Sequence, residues 1–209
     1  MKARYITLFL ILFIISAGSL YSQPIPVELM VGNKFTSLDV TFTKPFKENS
    51  KLGFFHMNTI QADYDDKSKN SFVLQDLVFY EVIKNFKIVA GAFYGKPGFN
   101  TTAGFQYSIN SKKVFFLFAP RVNIIEEPSY DFMTIFQYKT PLNGKVKLYT
   151  RLKLLNVFDA NEHIRSYQWF RLGVDLSGTQ FGLAMDLDEY GPDPSVEYNF
   201  GLFVRREIF

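Results

Sequence analysis

Between residues 145 and 155 charged and apolar side chains alternate one by one, and that pattern leaves few folds open. Lys145, Lys147, Tyr149, Arg151 and Lys153 fall on one side of an extended strand, with Val146, Leu148, Thr150, Leu152 and Leu154 on the other, because successive strand side chains point to opposite faces. One face is basic and the other oily. A soluble antiparallel sheet with its oily face in a core has this pattern, and so does a transmembrane barrel with its oily face in lipid.

The alternation recurs. Leu38, Val40 and Phe42 oppose Ser37, Asp39, Thr41 and Thr43; Phe170, Leu172, Val174 and Leu176 oppose Arg171, Gly173, Asp175 and Ser177; Phe181, Leu183, Met185 and Leu187 oppose Gly182, Ala184, Asp186 and Asp188. It blurs at 71–83 and 113–125, where both faces carry apolar groups. Helix-period patterns are missing, and 24 Phe and 12 Tyr favour strands. Turn signals separate strands predicted at 25–33, 35–46, 51–63, 71–83, 86–95, 99–110, 112–124, 129–140, 145–157, 163–177, 179–190 and 195–208. The first is the weakest, since Pro24 and Pro26 cannot donate to a ladder. The fold class expected is all-β, an antiparallel up-and-down barrel of twelve strands.

At the N-terminus, Lys2 and Arg4 precede an apolar run at 6–17 and small residues at Ala17, Gly18, Ser19 and Ser22. This is the layout of a cleaved secretory signal peptide, too short for a comfortable membrane-spanning helix. Residues 1–22 are read as the signal, cleaved after Ser22 or Ser19, and 23–209 as the barrel domain. Cysteine is absent, which argues against a lipid-anchored lipoprotein and leaves the fold to burial and backbone pairing. A net charge of +3 gives no reason to propose nucleic acid as a partner.

If every connection is a hairpin, the connections sort by parity. Those at 47–50, 84–85, 110–111, 141–144 and 177–179 are tight turns, and those at 64–70, 95–98, 125–128, 159–162 and 190–194 are longer and more acidic. Outer-membrane barrels have this asymmetry, short turns in the periplasm and longer loops outside. Crossing an apolar band of about 25 Å with tilted strands takes on the order of ten residues each, so twelve strands nearly use up the chain. Turning Lys145, Lys147, Arg151 and Lys153 toward lipid would cost about 10 kcal/mol, which directs them to the lumen. A soluble barrel is the competing reading, but twelve strands enclose an interior expected to be too wide for side chains to fill.

In size, strand number and polarity the chain resembles the small twelve-stranded outer-membrane channels, the oligogalacturonate-specific and sialic-acid porins and the nucleoside channel. That resemblance implies a monomeric, diffusion-driven pore for small polar solutes, set in outer-membrane lipid and lipopolysaccharide and without a cofactor. Phe209 resembles the terminal aromatic read by the barrel assembly machinery, although Glu207 and Arg205 stand where that signal usually has hydrophobic residues. The many Phe, Asn and Lys residues give the chain a Bacteroidetes-like character.

The expected lumen has a basic wall of Arg121, Lys145, Lys147, Arg151, Lys153, Arg165 and Arg171 and an acidic wall of Asp39, Asp175, Asp186, Asp188 and Glu197. Two walls of opposite sign would orient polar solutes and favour anions on the basic side, with Tyr149, Tyr167 and Trp169 placed to stack on a sugar or base. Alternatively, the opposite charges pair across the lumen and satisfy each other. An enzyme would need a nucleophile and base at the outer rim. Ser166, His163 and Glu162 are the candidates, but adjacent strand positions point apart and no lipase signature surrounds them, so His163 reads as a polar rim histidine. Asp63, Asp65, Asp66, Glu126, Glu127, Asp188, Glu189 and Asp193 are acids placed to hold divalent cations that bridge lipopolysaccharide phosphates, but they lack calcium-loop spacing and read as solvated charge.

Overall fold

The structure, a computed structural model, describes residues 24–96, 98–124, 128–192 and 195–208. The signal peptide at 1–22 and the terminal Phe209, with Glu126, Glu127 and Asp193 of the loops, lie outside them.

Twelve strands follow one another: β1 (Ile25–Gly32), β2 (Phe35–Pro45), β3 (Leu52–Asp63), β4 (Ser71–Ile83), β5 (Phe86–Gly95), β6 (Gly98–Asn110), β7 (Val114–Ile124), β8 (Ser129–Asn143), β9 (Val146–Phe158), β10 (His163–Leu176), β11 (Thr179–Tyr190) and β12 (Ser195–Ile208). Each pairs antiparallel with its chain neighbours, and β1 closes the sheet on β12 with Ile25 opposite Ile208 and Gly32 opposite Gly201. The expected all-β barrel is therefore the fold. The first strand, weakest in the sequence, is a full member with eight paired positions; its prolines sit at the strand start, where a missing donor matters least.

Tight turns need backbone that few residues adopt, and the sequence supplies it. Asn85 (φ 71°), Ser177 (φ 54°) and Gly178 (φ 87°) sit in the left-handed region at two of the tight turns. At the opposite, long-loop end, carboxylates hold the backbone. Asp66 accepts from the Ser68 hydroxyl at 2.7 Å and its N–H at 2.9 Å, and Asp159 accepts from the N–H groups of Asn161 and Glu162 at 2.7 and 2.8 Å. These bonds hold both carboxyls below the usual carboxylate range. Asp63 likewise accepts from the N–H groups of Asp65 and Asp66, so these acids shape loops.

The outer face is mostly apolar, with Leu183 and Leu202 more than 60% exposed and Phe105, Phe200, Val78 and Tyr198 about half exposed; the pair His56 and Asp76, 2.8 Å apart, interrupts it on β3 and β4. The inner face differs from the expected polar lumen. On β3, β4, β5, β7 and β8 the inward side chains form an apolar cluster of Phe55, Met57, Leu77, Phe79, Val89, Leu117, Ala119, Met133 and Ile135. The inner faces of β9 to β12, β1 and β2 carry the buried charges Arg151, Lys153, Arg171, Asp186, Arg205, Glu28 and Asp39. At mid-height the interior is oily on one side and charged on the other.

Candidate functional site

The charged half centres on Glu28, on the inner face of β1. Its carboxylate accepts from Arg171 Nε at 2.8 Å and Arg151 Nη1 at 3.0 Å, with Arg205 Nη1 at 3.6 Å. Arg151 also reaches Asp39 of β2 at 3.1 Å, and Lys153 Nζ donates to the other oxygen of Asp39 at 2.6 Å. Arg171 Nη1 donates to Asp186 at 2.5 Å. These side chains are almost fully buried. A buried charge persists only with partners this close, and here most of the partners of Glu28 and Asp39 stand on strands that are not their neighbours. Three basic groups from β9 and β10 span the lumen to two acids on β1 and β2.

Further bridges lie toward the long-loop end. Arg121 of β7 donates to Asp131 of β8 at 2.7 Å and to Gln75 of β4. Arg165 donates to Asp188 at 2.9 Å and to Gln61 of β3 at 3.3 Å. Glu197 accepts from Lys69 of the β3–β4 loop at 2.6 Å. Asp175 sits toward the tight-turn end and is held by Gln180 at 2.7 Å, Lys139 at 3.1 Å and the Gly178 N–H.

The basic and acidic groups expected on facing walls meet across the lumen, the alternative in which opposite charges satisfy each other. Lys145 and Lys147 are not in this network. Lys145 lies in the β8–β9 turn and Lys147 one residue into β9, both exposed at the tight-turn end. Tyr149, Tyr167 and Trp169 do face inward, yet all are buried. Tyr167 stacks on Trp169 with centroids 4.4 Å apart, Lys153 Nζ lies 4.9 Å over the indole, and Tyr149 packs on Phe203. In this conformation the aromatic faces are taken by protein.

Every one of the twelve strands has inward residues below a tenth exposed, among them Met133 and Lys153 at 0% and Leu117 at 1%. The interior expected to be too wide to fill is filled, because Arg and Lys side chains reach across from one half and Phe, Met and Leu pack from the other. Among the described residues, cavities of about 460 and 480 Å³ open at the tight-turn end, the first lined by Pro26, Asn110, Lys139, Arg205 and Glu207, the second by Asn49, Lys51, Glu81, Lys87 and Ser108.

This geometry has counterparts among solved structures. The NanC porin matches with a TM-score of 0.53 at 8% identity, covering 90% of this chain and 100% of that one. The KdgM porin matches at 0.51 and 10% identity, with the same coverage, and its complex with disordered oligogalacturonate at 0.50. What is shared is the fold. No family model and no curated protein matches the chain.

Sequence reasoning missed Glu28, Asp131, Gln61, Gln75 and Lys139, which complete the network. Alternation would have placed Glu28, Met30 and Gly32 on the inner face against Val27, Leu29 and Val31, had β1 been read as a regular strand.

Proposed function

We propose that the protein is a porin-like outer-membrane barrel that passes small polar solutes, anionic or sugar- or nucleoside-like, and that rests in a closed conformation. It acts as a monomer in outer-membrane lipid and lipopolysaccharide, delivered by the signal at 1–22 and the barrel assembly machinery, with Phe209 as its terminal aromatic. The observation that carries this reading is the charged half of the interior, where several buried polar atoms lack a partner in the packed state. Trp169 Nε1, Asp186 Oδ2 and Gln180 Oε1 are among them. Unpaired buried polar groups favour entry of water or a polar solute, so this half wets first when the cross-lumen pairs part.

Single-channel recording of the refolded chain tests it. Rare, brief openings are expected from the unaltered protein, and Asp39→Asn, which loosens Arg151 and Lys153 from β2, is expected to lengthen them. A closed trace at every voltage for both proteins overturns the channel reading.

A second reading, a non-conducting barrel with a structural, binding or lipid-modifying role, is favoured by the apolar cluster of Phe55, Leu77, Leu117, Met133 and Ile135, which fills one side of the mid-section. Both readings need the outer face in lipid. Leu183→Arg, on that face, is expected to destabilise the folded barrel by about 2–4 kcal/mol in bilayers. An unchanged unfolding midpoint in bilayers would remove the membrane assignment.

A further inference from the structure

The outer, lipid-directed face carries a group that neither a channel nor its closure uses. Ser166 lies between the inward Arg165 and Tyr167 and so points outward, opposite Asn156 of β9. His163, three residues before it, would face the other way on a regular strand. The ladder to β9 slips between His163 and Arg165, and the residue inserted by this bulge brings position 163 to the face of position 166. The imidazole Nε2 then sits 2.8 Å from Ser166 Oγ.

The other ring nitrogen decides the proton. His163 Nδ1 lies 2.7 Å from the carbonyl oxygen of Gly191, and a carbonyl only accepts, so Nδ1 carries hydrogen. In the neutral ring Nε2 is then a bare lone pair facing the Ser166 hydroxyl. The same hydroxyl donates to Asn156 Oδ1 at 2.9 Å. Half a turn of this amide gives one continuous chain, Asn156 Nδ2–H to Ser166 Oγ, Ser166 Oγ–H to His163 Nε2, and His163 Nδ1–H to Gly191. The loop that supplies the carbonyl is pinned in turn, with the Gly191 N–H donating to Ile164 O at 3.0 Å and φ of 79° at the glycine. The third member is a backbone carbonyl, where the sequence suggested Glu162.

A hydroxyl hydrogen-bonded to an imidazole whose far nitrogen is oriented by an acceptor is the arrangement that activates a serine nucleophile. Its depth suits one substrate class. Three residues from the end of a strand tilted near 40° is about 8 Å, the level at which acyl esters lie below the headgroups. We propose that Ser166 and His163 form a catalytic pair for acyl-ester hydrolysis of membrane lipid at the long-loop rim. Ser166 Oγ bonds to the ester carbonyl carbon as His163 Nε2 takes its proton. The carbonyl–alkoxy bond then breaks, the lysolipid alcohol leaves with that proton, and water delivers the acyl group as fatty acid. Asn156 is a positioning residue.

The test uses the full chain refolded in detergent, each variant first required to show heat-modifiable gel mobility. A fluorophosphonate probe is expected to label the unaltered protein at Ser166 and to leave Ser166→Ala unlabelled. His163→Gln is expected to slow labelling by about 10²-fold or more, with folding and conductance unchanged. Labelling no faster than that of Ser166→Ala, or at another serine, overturns the proposal. Fatty acid release is then measured from phosphatidylglycerol vesicles and from lipid A vesicles. Release from either supports it and identifies the lipid, and release from neither overturns it.

Discussion

Glu28→Ala is expected to lower the stability of the folded barrel by about 3–5 kcal/mol, the range for breaking a buried ion pair by removing one partner. Glu28 meets Arg151, Arg171 and Arg205, so its loss leaves three guanidinium groups sharing Asp39 and Asp186. The measurement is urea unfolding of the refolded protein in lipid. Glu28→Gln keeps the shape and separates lost charge from lost volume, and it should reproduce most of the effect. Replacing Glu28 and Arg171 together by methionine should recover part of it, because two apolar groups leave less charge uncompensated. A loss below about 1 kcal/mol for Glu28→Ala would mean that the network contributes little and that the oily half holds the interior together.

Gly201→Val is expected to cost at least about 3 kcal/mol, at the upper end of overpacking effects, or to prevent closure. A Cβ at Gly201 would lie 2.0 Å from the Val31 carbonyl oxygen and 2.6 Å from the Gly32 Cα, so β1 and β12 would have to separate. Gly182 is as tightly placed, with the Leu172 oxygen at 2.2 Å and the Gly173 Cα at 2.5 Å. Both glycines are on the inner face, where the backbone of the neighbouring strand lies against them. Gly178 provides the contrast. Its Cβ would meet nothing within 4 Å, but φ is 87°, so Gly178→Ala should cost only about 1 kcal/mol from the left-handed backbone. Heat-modifiable gel mobility reads closure in both, and a normally folding Gly201→Val would show that β1 and β12 can part at this position without loss of closure.

Strand number, order and ends were legible because period-2 patterning and turn residues act locally. All twelve predicted spans lie on the observed strands, the largest departure being β8, which runs on to Asn143. The site was less legible, for three physical reasons. At Leu77, Phe79, Leu117 and Ala119 the blurred alternation meant an oily interior, and assuming a polar lumen hid it. Glu28 was overlooked because two prolines made its strand look irregular, while its partners are more than 120 positions away and no local pattern records them. The Ser166 and His163 contact depends on one bulge, and a register slip reverses which face a residue occupies.

The charged network also governs when the barrel is finished. Its central acids Glu28 and Asp39 stand on β1 and β2 and most of their bases on β9 and β10, so these cross-lumen pairs are complete only once the two end strands have joined. Interactions absent from the transition state leave folding speed alone and slow unfolding. A seam closed one residue out of register would also turn Glu28 toward lipid and strand its arginines. The interior that seals the lumen is thus a proof of correct closure, and once made it acts as a kinetic lock on the assembled wall.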